Sequence, residues 1–376
     1  MIDILFVFGD LFKRGGTETV MRNIFDHIDR DRFHIDFLLL SDEPDGTELT
    51  KHIEESGSKV FHIVRRGKEY SRHKKELKRF FSEHQYDIVH THMDAIGDEA
   101  LLEAKRNGVK VRVAHSHSTA QLPAPRSVKD IIHKGIILYE RSRLRRLASH
   151  YVACSTEAGE WLFGKKRCSG DRYLLFRNAI VPEELIYSHE RYVRAREELG
   201  ISNEVLIGHV GAFLYQKNHE FLISVFADIS KRIDSKLVLI GCGELEPDIR
   251  RKVNELGISD RVLFLGSRTD VKDLLQGMDV FVFPSHHEGL PLAVLEAQAA
   301  GLRCVISDRI SREVDVTGLV VFLPINEGTG IWADAVEKAA SSEDVRVSPV
   351  ERIRESGYDM CTNIHELEDF YIRALN

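Results

Sequence analysis

Short apolar runs alternate with amphipathic stretches along nearly the whole chain. In the front half, near-continuous hydrophobic runs fall at residues 2–8, 34–40, 60–64, 87–90, 111–115, 151–154 and 173–176. Between them lie segments with helical spacing of apolar positions, such as 17–30, 69–84 and 97–107. Strands that are apolar at successive positions are buried on both faces, and the intervening helices supply the cover. A parallel sheet is therefore expected. The pattern restarts at 205–210, 236–240, 262–265, 279–283, 304–307 and 319–323. Two doubly wound α/β domains follow, joined near residues 178–190, with no internal repeat and no low-complexity segment. Such sheets bind ligands outside the carboxyl ends of their strands. Chemistry is thus expected in loops that follow strands, and the natural site for a two-domain chain is the cleft between domains.

Length agrees with this division, because 376 residues exceed what one hydrophobic core usually serves. A content of 43% hydrophobic and 30% charged residues, with 9 Pro and 26 Gly, excludes collagen-like, coiled-coil and disordered classes. No apolar run approaches the ~18–20 residues of a membrane span. The opening MIDILFVFGD has no basic leader and no small-residue cleavage site, which reads as cytosolic. Cys154, Cys168, Cys242, Cys304 and Cys361 are odd in number and widely spaced, so buried thiols are expected in place of disulfides or a zinc site. The formal charge of −7 is unevenly spread: residues 1–180 carry 31 Lys+Arg against 26 Asp+Glu, the remainder 21 against 33. A basic front half suits an anionic partner, such as a membrane surface or a phosphate-bearing acceptor, or simply keeps the protein soluble.

Four loops carry the candidate chemistry. The first runs from Gly9 to Gly16, where Gly15 and Gly16 precede the predicted helix at Thr17. A double glycine there allows close backbone approach and offers N–H groups to an anion, or is only a flexible turn. It matches neither the G-x-G-x-x-G fingerprint nor a Walker A loop. The second, Val113–Ser118, places His115 and His117 after a strand, where they could position a substrate hydroxyl or phosphate; His90 and His92 repeat the arrangement more weakly. No metal-ligand spacing is evident in either. In the third, Gly211 ends a strand and Lys217 precedes a helix, adding a point charge to the helix dipole unless it is merely a solvated lysine. The fourth, Phe283–Glu296, sets Glu288 before a helix opening at Pro291 and Glu296 roughly 8 Å along it, with Gly301 as the stop. One carboxylate could hold sugar hydroxyls and the other ribose, with the helix N-terminus on a diphosphate between them. Acids on a capped core helix are the plainer alternative. Glycoside hydrolysis also uses two carboxylates, but gives no reason for phosphate-binding helix starts.

At these residues the chain resembles the retaining glycosyltransferases of family 4, in their capsular and exopolysaccharide branch. The resemblance runs nearly end to end through RGGTETVMRNI, YDIVHTH, VRVAHSHS, YVACSTEAGEWLFG, IGHVGAFLYQKNHEFLI, LVLIGCGELE, VLFLGSRTDV, DVFVFPSHHEGLPLAVLEAQAAGL and LVVFLP. The E-x₇-E loop is its specific element, and the double glycine and HSH segments support it. The resemblance implies the GT-B architecture: two Rossmann-like domains, 1–180 and 181–357, facing an interdomain cleft, with 358–376 as a helix crossing back to the first. It implies that the second domain binds a nucleotide-sugar co-substrate, UDP-linked by expectation, and that the first binds the acceptor. Lys217 would bind the diphosphate and stabilise the leaving group. Glu288, Gly289, Leu290 and Leu292 would hold donor sugar and phosphates, and Glu296 the ribose. Gly211 and Gly16 would also line the donor site, and Arg268 would lie by the base. Gly15, His115 and His117 would face the acceptor side, with His117 also near the donor sugar. Neither metal nor cofactor is implied, nor any nucleic acid. Retention would follow a front-face route, and the acceptor would be a glycan or a polyprenyl-diphosphate-linked glycan.

Two departures stand out. The family's G-R-[LF] is Gly211-Ala212-Phe213 here, so the arginine that joins the lysine at the diphosphate is missing, and N-G-I-D is Asn178-Ala179-Ile180-Val181. A catalytically impaired nucleotide-sugar-binding homologue is therefore the competing expectation, although Lys217, Glu288 and Glu296 are all kept. Residues 128–147 form a further amphipathic stretch, with Lys129, Lys134, Arg141, Arg143, Arg145 and Arg146. It would rest on the anionic inner face of the cell membrane, or be a core helix with a solvated basic side.

Overall fold

The strand-forming runs assemble into two separate parallel sheets. The computed structural model describes residues 1–9, 16–41, 47–117, 128–288, 290–342 and 344–376. The chain divides into two compact units, Met1–Asn178 with Met360–Asn376, and Ala179–Asp359.

The first unit contains β1 (Ile2–Phe8), β2 (Phe33–Leu40), β3 (Val60–Ile63), β4 (Ile88–Thr91), β5 (Val111–Ser116), β6 (His150–Ala153) and β7 (Tyr173–Leu175), in the order β3-β2-β1-β4-β5-β6-β7. Ile4, Leu5, Phe6 and Val7 are all fully buried, which explains why β1 is apolar at every position and not at alternate ones. The final helix, Met360–Leu375, belongs to this unit: Ile364, Leu367, Phe370 and Tyr371 are buried, and Glu368 accepts a hydrogen bond from the backbone N–H of Asp29.

The second unit contains β8 (Val205–Val210), β9 (Ser235–Ile240), β10 (Val262–Phe264), β11 (Val280–Phe283), β12 (Arg303–Ser307) and β13 (Val320–Leu323), ordered β10-β9-β8-β11-β12-β13. Its sheet separates two apolar layers, one around Phe281, Phe283, Leu295 and Ile306, the other around Val282, Phe226, Leu239 and Trp332. Each doubly wound sheet has a switch point where the strand order reverses: β1/β4 in the first unit and β8/β11 in the second. Loops leaving two such strands diverge and open a crevice at the sheet's carboxyl edge. The Lys217 loop follows β8 and the Glu288 loop follows β11. Both flank the same crevice.

Three expectations need correction. Pro291 is extended (φ −74°, ψ 111°) and caps the helix from outside, so the helix is Leu292–Ala299, ending before Gly301 at φ +75°. A proline here holds the entering chain extended, and its carbonyl accepts from the Val294 and Leu295 N–H groups. The cysteines form no disulfide, but they are not uniformly buried: Cys304 is, whereas Cys242, in the loop after β9, and Cys361, on the final helix, are exposed. The 128–147 segment is the helix Val128–Leu147, but several of its cations are bound to the protein. Arg143 pairs with the fully buried Asp98 at 3.0 Å, Arg145 donates to the Leu162 carbonyl at 2.7 Å, and Arg141 lies over the Trp161 ring. Removing a partner from a buried carboxylate costs several kcal/mol, so Arg143 is fixed where it is.

Candidate functional site

Residues 211–219 and 284–288 fold against each other. After β8, Gly211 donates its N–H to the Ile240 carbonyl (2.9 Å), and Tyr215–Lys217 forms a single 3₁₀ turn. Asn218 then takes a left-handed conformation (φ 55°, ψ 44°), which asparagine tolerates better than most residues, and the helix His219–Ile229 begins. Three hydrogen bonds tie this turn to the loop after β11. His286 N–H donates to the Gln216 carbonyl (2.8 Å), Gln216 Nε2 to the His287 carbonyl (3.0 Å), and Asn218 Nδ2 to the Pro284 carbonyl (3.1 Å). The rings of Tyr215 and His286 stack at 4.4 Å.

Within this frame Lys217 Nζ donates to Glu288 Oε1 at 2.7 Å, and both side chains are largely buried. The ammonium also lies 4.8 Å from the Phe283 ring centroid. A side chain at Gly211 would press on the lysine: its Cβ would come within 3.2 Å of Lys217 Cδ and 3.0 Å of His209 Nε2. Gly241 permits the same closeness from β9, since a Cβ there would stand 2.2 Å from the Gly211 carbonyl oxygen, at φ +141°. Beneath the pair, the buried His209 and His219 rings meet at 4.7 Å. Burial, reinforced by Lys217, pushes His219 down to about 4, so it stays neutral. Burial lowers His209 as well, so among the described residues of this layer the lysine carries the positive charge.

Glu288 pairs through its backbone with Ile310, in the loop after β12. Beside Ile310, Arg309 is exposed, and its charge acts on His286. The helix Leu292–Ala299 has no side-chain cap. The Val294 and Leu295 N–H groups donate to the Pro291 carbonyl, which, among the described residues, leaves the N–H groups of Leu292 and Ala293 open to an acceptor. Leu290 and Leu292 turn their side chains into the core, leaving their backbones as what they can offer a ligand. Glu296 is half-buried one turn along, and its carboxylate makes no hydrogen bond or ion pair with the described residues. Desolvation alone pushes it up to about 7. Gly289 lies outside the described residues.

Arg268 stands apart. It follows Gly266 as expected, but its guanidinium is engaged by Glu198 and Asp270. Those hydrogen bonds raise its pKa, and its charge is already neutralised. Sequence reading missed Gln216, Asn218 and His286, because hydrogen bonds between two loops 70 residues apart leave no local signal.

In the first unit, His90 on β4 with His92 just beyond it, and His115 on β5 with His117 just beyond it, come together. Residues two apart share a sheet face, and the register pairs Thr91 with Ala114, so both H-x-H segments present the same face at one end of the sheet. His115 and His117 stack at 3.9 Å, His90 and His92 at 4.3 Å. His117 Nε2 lies 3.0 Å from His92 Nδ1, and its backbone N–H donates to Asp94 Oδ1 at 2.8 Å. Burial holds His117 down at about 4. Gly15 lies outside the described residues, and Gly16 is the first residue of the helix Gly16–His27.

Two doubly wound sheets, one carrying a Lys–Glu pair at its switch point, define the GT-B class of sugar-transferring proteins. Comparison with known proteins agrees. Residues 204–342 match the family model "Glycosyl transferases group 1", and residues 14–184 match "Glycosyltransferase Family 4". The chain is 32% identical over 365 residues to a Bacillus subtilis (strain 168) protein named glycosyltransferase EpsF, covering 96% of this chain and 94% of that protein. It is 29% identical over 62% of its length to an Escherichia coli UDP-Gal:alpha-D-GlcNAc-diphosphoundecaprenol alpha-1,3-galactosyltransferase, spanning 60% of that enzyme. Among solved structures, Anabaena HepE in complex with UDP superposes with a TM-score of 0.76 over 99% of this chain and 100% of that one, at 16% identity. The chain belongs to the group 1, family 4 glycosyltransferases.

The Glu296 carboxyl gives a pH test of the site. Its folded-state pKa is raised from 4.5 to about 7, so the folded protein binds the proton more tightly. The resulting cost is absent below the unfolded value, grows as pH rises from about 4.5 to 7, and is complete above that. Glu296→Gln should therefore be more stable than wild type by roughly 1–3 kcal/mol at pH 8, with the advantage vanishing near pH 4.5. Urea unfolding across this range measures it. Equal stability at pH 8 would show that the carboxylate is solvated.

Proposed function

We propose that the second unit binds a UDP-sugar at the β8/β11 crevice and transfers its sugar, with retention and without a metal ion, to a lipid-linked glycan. The observation that carries this is the Lys217–Glu288 pair, held at 2.7 Å beside an uncapped helix start. Lys217 and the first-turn N–H groups meet the diphosphate, Glu288 takes the sugar hydroxyls, and Glu296 accepts from the ribose hydroxyls. As the bond between the sugar C1 and the phosphate oxygen breaks, negative charge grows on that oxygen. A preorganised cation and helix dipole stabilise it, an effect typically worth ~3–4 kcal/mol per well-aimed donor. The acceptor oxygen bonds C1 on the same face and its proton passes to the departing phosphate. His117, partly exposed on the first unit, meets the acceptor, whereas His115, stacked on it and 1% exposed, offers a substrate no surface.

The relatives support the substrate classes. HepE was solved with UDP and with UDP-glucose, and the Escherichia coli enzyme is named for a UDP-Gal donor and a diphosphoundecaprenol-linked acceptor. A further relative is named for Vi polysaccharide biosynthesis, in keeping with a role in capsule or exopolysaccharide assembly. Ala212 favours a slower enzyme or an impaired one. Against full impairment stands Arg309, an exposed cation beside the backbone partner of Glu288, which can approach the phosphates from the β12 side.

Lys217→Ala should weaken UDP binding by about tenfold or more and reduce turnover of a UDP-sugar by ~10²–10³. Wild-type turnover, or slow release of UDP from the donor, should not depend on added Mg²⁺ or Mn²⁺. Calorimetry with UDP and a UDP-release assay give both readings. Unchanged UDP affinity in the variant or a requirement for Mg²⁺ or Mn²⁺ would contradict the assignment, and donor binding without turnover would favour the impaired homologue.

Membrane association is proposed from a different surface than the arginines suggested. No helix among the described residues is long and apolar enough to cross a membrane. On the helix Val128–Leu147, however, Ile131, Ile132, Ile136, Leu138 and Tyr139 are 45–59% exposed. Apolar side chains in such a row bury into the headgroup boundary, with Lys134 and Arg146 against anionic lipid. Ile131→Asp with Ile132→Asp should lower binding to phosphatidylglycerol-containing vesicles by about tenfold or more, measured by flotation at low salt. Equal flotation of both proteins, or none by wild type, would leave the helix a purely protein surface.

A further inference from the structure

The four stacked histidines of the first unit pose a hydrogen-bonding problem that their own contacts do not solve. His90, His92 and His115 are all but inaccessible, with exposures of 0%, 6% and 1%. Within the cluster, His90 Nε2, His92 Nε2, both nitrogens of His115 and His117 Nδ1 are buried without a hydrogen-bond partner. Leaving one polar atom in that state costs on the order of 1–3 kcal/mol. Five in one place require something between them.

The two nitrogens that are engaged narrow the choice. His90 Nδ1 is hydrogen bonded to the Tyr371 hydroxyl at 2.6 Å, and His92 Nδ1 to His117 Nε2 at 3.0 Å. Each bond engages one nitrogen of a ring and leaves the other buried and unpartnered. This is how a metal-ligating histidine is usually held, its second ring nitrogen anchored by an outer partner. One ring nitrogen from each of His90, His92 and His115 lies within 4.8 Å of one from each of the others. Zn–N bonds of about 2.0–2.1 Å in a tetrahedral site set ligand nitrogens ~3.3 Å apart. Because each lone pair lies in its ring plane, the stacked rings must both shift by about an ångström and tilt out of the stack to close the site. Imidazole-only ligation suits zinc, copper, nickel or cobalt and not magnesium or calcium.

We propose that His90, His92 and His115 bind one divalent transition-metal ion, zinc or a metal of similar ligand preference. The ion is structural. It joins the ends of β4 and β5 and, through His90 and Tyr371, fixes the final helix on the first unit. It takes no part in the transfer step and lies on a different unit from Lys217 and Glu288, so this inference stands or falls independently of the donor site.

The test uses full-length protein made without a polyhistidine tag. Metal content is measured as purified, and chelator-dialysed protein is then titrated with Zn²⁺ and Co²⁺ while Tm and the visible spectrum are followed. The expected result is about one ion per chain, a higher Tm on metal addition and cobalt ligand-field bands. His90→Gln and His115→Gln should lose the ion and the Tm response, whereas His189→Gln, at an exposed helix start, should keep both. Should the cluster variants fail to fold, X-ray absorption on the wild-type metal counts its ligands, and three imidazoles are expected. Absence of metal as purified together with no response to Zn²⁺ or Co²⁺ overturns the proposal and leaves ordered water in the cluster. So does metal binding that persists in His90→Gln and His115→Gln, or a wild-type ion with fewer than three imidazole ligands.

Discussion

The ion pair between Lys217 and Glu288 sets the demands on everything around it in the second unit. A lysine and a glutamate that are largely out of water need each other, because an unpaired buried charge costs several kcal/mol. Meeting at 2.7 Å requires two loops, on strands that are neighbours in space but 70 residues apart in sequence, to be fixed within a fraction of an ångström. The Gln216, Asn218 and His286 hydrogen bonds supply that rigidity, and Gly211 and Gly241 remove the side chains that would keep the loops apart. A ligand carrying both phosphates and hydroxyls can divide this pair between its two ends. A ligand with only one of them cannot.

Much of the architecture is legible in the sequence because burial on both faces leaves a strong pattern. β1 is Ile2–Phe8 and β8 is Val205–Val210, as the apolar runs predict, and β12 differs by a single residue at one end. The motif positions are legible too, since strand-to-helix loops are marked by Gly211 and by the Glu288–Gly301 segment. What escapes is whatever depends on two distant segments meeting. Arg143 reads as a lipid-facing cation until Asp98 is seen beneath it. Arg268 reads as a free cation near a ligand, yet Glu198 lies 70 residues away in sequence and against it in space. Pro291 fits a first helical position by statistics, but its extended ψ of 111° places it outside the helix.

The histidines show the same limit from the other side. HTH and HSH are each unremarkable in a chain with 18 histidines. Only the parallel register of β4 and β5 places all four on one face, where their stacking and their unpaired nitrogens become a collective property. The exposed isoleucines at 131, 132 and 136 are likewise visible only once the opposite side of their helix is known to pack on the protein.

The central claim is that Lys217 serves the diphosphate and Glu288 the sugar, so that the pair separates when donor binds. Calorimetric titration of Glu288→Gln with UDP and with a UDP-sugar tests this directly. Exchanging the carboxylate for a neutral amide frees the lysine for phosphate and replaces one of the two anionic acceptors of the sugar hydroxyls by an NH₂ donor. UDP should therefore bind as well as or better than to wild type, while the UDP-sugar loses about tenfold or more relative to UDP. If both ligands weakened equally, Glu288 would be only the structural partner that holds Lys217 in place, and the division of roles would be wrong.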